Sequence, residues 1–151
     1  MCIRDRVRRA AAWPLRTVAT VALVLLAVSW LVPYLSARAQ NAALDAWVDG
    51  DTAAALSHAR RAARLDPLAV EPLITEAQML QQQRRKDEAL AVLEKAARLQ
   101  PDNYQVFYHQ GVILLKAFGL KEAAIEALRH ALALNPLDAA SRSALELATG
   151  P

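Results

Sequence analysis

From Thr17 to Ala37 the chain carries no charged residue, and beyond it the apolar positions recur at spacings of three and four. The first pattern reads as a helix apolar all round, the second as one face of an amphipathic helix. After Val70 the recurring positions are Leu73, Ala77 and Leu80, then Ala89, Leu93 and Ala96, with a polar break from Gln81 to Asp87. That predicts two antiparallel helices joined by a short turn. The pair repeats along the chain, because three near-copies of one string punctuate it: Ala62-Ala-Arg-Leu-Asp-Pro67, Ala96-Ala-Arg-Leu-Gln-Pro101 and Ala131-Leu-Ala-Leu-Asn-Pro136. Alanine and leucine favour helix and the closing proline lacks an amide donor, so each string ends a helix. The prolines fall 34 and then 35 residues apart. Such a period marks one supersecondary unit stacked on copies of itself.

These residues resemble the tetratricopeptide repeat family, a helix–turn–helix unit of about 34 residues. The resemblance implies a small residue in the middle of each first helix, where the second helix crosses closely; Ala43, Ala77 and Gly111 stand there. It also implies Ala, a large apolar residue, Ala and then Pro along each second helix. The second repeat supplies Ala89, Leu93, Ala96 and Pro101, and the third Ala124, Leu128, Ala131 and Pro136. The first repeat is degenerate, with Ala59 in the large-residue slot, and the family's first-helix Trp is replaced by Ala39, Leu73 and Phe107. One extra residue precedes Gly119 and is assigned to the turn, where insertion is cheap. Leu137, Ala140, Ala144, Leu145 and Ala148 mark a capping helix that covers the last open face. The expected architecture is an all-α solenoid covering about 100 of 151 residues: repeats over 38–69, 70–103 and 104–136, and a cap over 137–149.

The uncharged stretch 17–37 is expected to be a transmembrane helix, since 21 residues rise about 31 Å, roughly a bilayer's hydrocarbon thickness. Trp13 on one side, and Trp30 and Tyr34 on the other, suit interfacial belts; Pro33 lies near the far end, where a kink is tolerable. Arg8, Arg9 and Arg16, in a basic juxtamembrane segment over 7–16, outnumber Arg38 on the other flank, where Asp45, Asp49 and Asp51 follow. The positive-inside rule then puts the N-terminus in the cytoplasm and the repeats outside it. Ala37-Arg-Ala39 has the small-x-small form of a signal-peptide cleavage site, so a secreted repeat protein is an alternative.

Residues 1–39 hold six Arg and one Asp, net +5, whereas 40–151 hold twelve Lys plus Arg and fourteen Asp plus Glu, net −2. The pI near 9.4 therefore comes from the membrane flank, and no aromatic-interleaved basic stripe marks a nucleic-acid partner. Lipid headgroups are the fitting counterpart of Arg8 and Arg9. The first six residues, Met1-Cys-Ile-Arg-Asp-Arg6, back-translate to a string resembling a transposase-end sequencing adapter and are expected to be a technical artefact. Without them no cysteine remains.

Chemistry-bearing clusters are scarce. His58, His109 and His130 fall in separate helices without metal-ligand spacing, and the four glycines build no phosphate loop. Ser57 and His58 are neighbours on a helix and so diverge, which makes no nucleophile–base pair. Asp87-Glu88 suits a helix N-terminus and Gly50-Asp51 a turn plus cap. No catalytic, cofactor-binding or metal-binding residue is therefore expected.

First helices line the concave face of such stacks. By helical phase the partner-facing residues are Gln40, Leu44, Trp47 and Val48, then Gln78, Gln81 and Gln82, then Tyr108, Val112 and Leu115. This neutral surface suits a protein or peptide, or self-association. The family's basic, Asn-bearing clamp for a peptide's terminal carboxylate is unmatched: Gln40, Ile74 and Tyr108, and Leu44, Gln78 and Val112, occupy its places. The expected function is a membrane-anchored scaffold for protein–protein interaction. An alternative rests on the Asp-Pro-Leu-x-x-Glu-Pro stretch, Asp66 to Pro72, after an apolar helix. It is similar to the tail of bacterial O-antigen ligase or polymerase proteins, a resemblance that implies catalysis in upstream residues.

Overall fold

The computed structural model describes the backbone of residues 3–150 and the side chains of 17–150; the adapter-like start and Arg8, Arg9, Trp13 and Arg16 lie outside the described side chains. Seven α-helices are described: α1 (Ile3–Val48), α2 (Thr52–Leu65), α3 (Glu71–Gln82), α4 (Lys86–Leu99), α5 (Tyr104–Ile113), α6 (Lys121–Leu134) and α7 (Ala139–Thr149). The chain is an all-α solenoid. The end of α1 with α2, then α3 with α4, then α5 with α6 form three helix pairs, and α7 lies against α6.

The prolines act as their chemistry dictates. α2, α4 and α6 end at Leu65, Leu99 and Leu134, and Pro67, Pro101 and Pro136 each follow two residues later. Asp51 caps α2, its Oδ1 accepting from the Ala54 amide at 2.9 Å, and Asp138 caps α7 by accepting from the Ser141 amide at 2.7 Å. Asp87 and Glu88 fall in the first turn of α4. There Arg85, hydrogen-bonded to Glu88, holds the Glu88 carboxyl below its usual range.

The helix crossings are built from small residues. Ala43, Ala77, Ala89, Ala96, Ala124 and Ala131 are fully buried, as are the leucines between them, Leu93 and Leu128, and Ala59. Gly111 shows how tight a crossing is: a β-carbon there would stand 2.6 Å from Leu128 Cγ and 3.2 Å from the Ala124 carbonyl. Pro101 and Pro136 stay exposed at the turns.

Two features depart from the sequence expectation. First, the apolar helix and the first helix of repeat 1 are one element: α1 passes Pro33 and Arg38 without a break. Second, the extra residue of the third repeat is in the helix and not in the turn. Leu114–Phe118 is a π-helical turn that closes α5. A π-turn absorbs one residue by widening the hydrogen-bonded ring. The helix ends record it: Asp51 and Arg85 donate to carbonyls five residues back, Ala46 and Leu80, whereas Leu120 donates six back, to Leu114. Gly50, Arg84 and Gly119 occupy the same place in the three turns, each in the left-handed region, with φ of 81, 62 and 69°.

A candidate partner-binding face

The first helices α1, α3 and α5 are joined to one another by side-chain amides. Gln40 Nε2 donates to Thr75 Oγ1 at 2.6 Å, and the Thr75 hydroxyl in turn donates to the Glu71 carbonyl at 3.1 Å. Gln78 Nε2 lies 3.3 Å from His109 Nε2. An amide donor at that nitrogen needs a neutral ring protonated on Nδ1. Burial favours the same form, pushing the His109 pKa below its ordinary value. Thr75 and His109 are corresponding positions one period apart, so each repeat receives an amide from the one before it.

Gln40 Oε1 is buried and has no hydrogen-bond partner among the described residues. Beside these amides, Leu44 and Gln82 are exposed, while Gln81, Val112 and Leu115 are half-buried. Tyr108 is half-buried too and its ring stands in a T-shaped contact with that of His109, centroids 4.9 Å apart. Trp47 is half-buried against a core that runs from α2 to α5, whereas Val48 stands 87% exposed at the end of α1. The amide links thus bring Gln40 and Gln78 to neighbouring first helices; Val48 sits apart at a helix end.

Other side chains with possible chemistry are engaged structurally. Ser57 Oγ donates to the Ala54 carbonyl at 2.8 Å and not to His58. His130 stacks on Phe107 at 4.1 Å, tying α6 to α5. Among the described residues, no group of three His, Cys, Asp or Glu is placed to hold a metal ion. Sequence reasoning did not single out Thr75 and His109 for this face. Their signal is relational, a hydrogen-bonding residue recurring one period apart opposite a glutamine.

A tetratricopeptide repeat family model matches residues 74–143. Comparison with curated proteins finds no match. Among solved structures, an O-GlcNAc transferase mutant from Thermobaculum terrenum superposes with a TM-score of 0.70 at 26% identity over 78% of this chain; the chain spans only 22% of that protein. The Arabidopsis OM64 TPR domain superposes with a TM-score of 0.70 at 16% identity, over 78% of this chain and 96% of the domain. The second TPR domain of human RPAP3, solved in complex with an HSP70 peptide, gives 0.69 at 16% identity, over 79% and 99%. Neither the matched family nor these structures is an O-antigen ligase or polymerase. Period, buried small residues at the crossings and these matches agree: residues 74–143 match the tetratricopeptide repeat family, and the helices around them share the fold of its domains.

Proposed function

We propose that the chain is a membrane-anchored scaffold whose first-helix face holds an extended segment of a protein partner. The observation that carries the binding half is Gln40 Oε1, a buried acceptor with no donor. A buried unsatisfied acceptor costs about 1–3 kcal/mol, and the half-buried Gln40 side chain reaches a backbone N–H of a bound strand by a rotamer change that brings Oε1 to the surface. Repeat arrays are concave along this face. The RPAP3 domain solved with an HSP70 peptide supports a peptide as the occupant. Because no basic clamp is present, the segment is held along its backbone and not by a terminal carboxylate.

The anchoring half rests on α1. Among the described residues one helix is long and apolar enough to cross a membrane, and its apolar window is unburied. Leu23, Leu25 and Leu26 are exposed, as is Trp30 at 82%. A cylinder apolar on every side needs lipid, not water, around it. Cleavage after Ala39 would remove packing that repeat 1 uses: Ala39 is buried, and Ser36 Oγ donates to the Ala62 carbonyl at 3.2 Å. That favours an uncleaved anchor over a secreted protein.

The test is selection of displayed peptides against the whole chain in lipid nanodiscs. Selected peptides should bind about tenfold more weakly to Gln40→Leu, the loss of one charge-free hydrogen bond. Peptides indifferent to Gln40→Leu and to Tyr108→Ala would place the binding surface elsewhere. Protease added outside intact cells should digest the repeats if they lie beyond the cytoplasm, and spare them otherwise.

A further inference from the structure

α1 and α2 are antiparallel, and the Ser36–Ala62 hydrogen bond puts the last turns of α2 level with the end of the apolar segment. At that level a cleft of about 310 Å³ opens between the two helices. Leu35 and Leu65 form its walls, and Arg38, His58 and Arg61 line it with them. Arg38 and Arg61 are exposed and have no hydrogen bond or ion pair among the described residues. The neighbouring Arg60 differs: its Nε meets Glu76 Oε1 at 2.8 Å. Two guanidinium groups are therefore left without a counter-ion beside aliphatic walls, level with the end of the apolar segment.

A guanidinium presents a planar fork that matches phosphate oxygens, and aliphatic walls suit the glycerol and first methylenes of a lipid. We propose that this cleft binds the phosphate of an anionic membrane lipid, a diester of the phosphatidylglycerol type. The site rests on the anchoring reading above, since only a seated α1 brings the cleft to a bilayer. It would fix the rotation of the array about α1 by tying α2 to the membrane surface.

A second basic cleft supplies the control. Gln81, Arg84, Lys86 and Lys116 surround it at the α3–α4 turn. That turn lies at the opposite edge of the array, because Gln83 Nε2 donates to the carbonyl of Thr52, the first residue of α2, at 3.3 Å. Removing two charges there leaves the proposed lipid site intact.

The experiment is native mass spectrometry of the whole chain released from bilayers of mixed phosphatidylcholine and phosphatidylglycerol. Flotation with vesicles is measured alongside. One phosphatidylglycerol should remain bound in preference to phosphatidylcholine. Arg38→Gln with Arg61→Gln should lower its retention on the order of thirty-fold, from two basic groups at a membrane surface. Arg84→Gln with Lys116→Gln should leave retention unchanged. Equal retention of both lipids, or no loss in the first variant, overturns the site while flotation upholds the anchor. Displacement by millimolar inorganic phosphate would make it a free-anion site and overturn the lipid assignment. A chain that does not float removes the anchor and the lipid site together.

Discussion

The second and third repeats carry the same helix pair with different solutions at the crossing and at the turn. The second places Ala77 at the crossing and closes its turn on Arg84, a non-glycine residue with φ of 62°. The third places Gly111 there, pressed on Leu128, and closes on Gly119 after a π-turn. A stacked unit therefore fixes two things, how near its helices pass and where the left-handed residue falls. The number of residues between them is free by one, provided the helix end absorbs it.

Truncating the ridge in the third crossing has the largest expected effect. Leu128→Ala should cost about 2–5 kcal/mol in urea unfolding, a buried leucine replaced by a cavity. Gly111→Ala should cost about 1–3 kcal/mol by overpacking against Leu128. In the Leu128→Ala background that penalty should vanish, because the methyl then enters the vacated space. Additive penalties would mean that the two side chains do not share the crossing.

The seam between the first and second repeats should come next. Arg60→Ala leaves the largely buried Glu76 carboxylate without its partner and should cost about 1–3 kcal/mol. Arg85→Ala breaks an exposed pair within one repeat and should leave the melting temperature unchanged. Arg84→Gly tests the turn from the other direction. Relieving a side chain in the left-handed region should add about 1 kcal/mol of stability and make the second turn behave as the third.

The smallest effect is the pH response of the α3–α5 seam. Burial lowers the native pKa of His109, so the unfolded chain binds the proton more readily. The stability from the neutral ring is complete above about pH 6.5, the ordinary histidine value, and is lost as pH falls through it toward the lowered native value. Urea midpoints at pH 7.5 and 5.5 should drop more for the natural chain than for His109→Gln. Equal drops would show that His109 does not set the response.

Most of the fold is legible in the sequence because its rules are local and repeated. A proline every 34 or 35 residues, and a small residue midway along each first helix, locate every pair. Asp51 is legible as a cap because it follows a glycine and precedes an alanine-rich run. The unbroken α1 is not, because Pro33 and the change of composition at Arg38 both imitate a boundary. Nor is the π-turn, since one extra residue has the same count in a helix as in a loop. The amide links between the first helices join residues 35 and 31 apart on different repeats. Helical phase speaks only within a single helix, so it cannot reveal what Gln40 and Gln78 grip on the next one.

The unbroken α1 has a mechanical consequence. Val48 lies eleven residues beyond Ala37, a rise of about 16 Å with no swivel along it. With the apolar end seated in a bilayer as proposed, the array is a stiff arm, not a pendant on a leash. It holds the proposed docking face at one height above the membrane. A partner held in the same membrane must then bring the compliance itself, and the length of that partner's own tether would decide whether the two can meet.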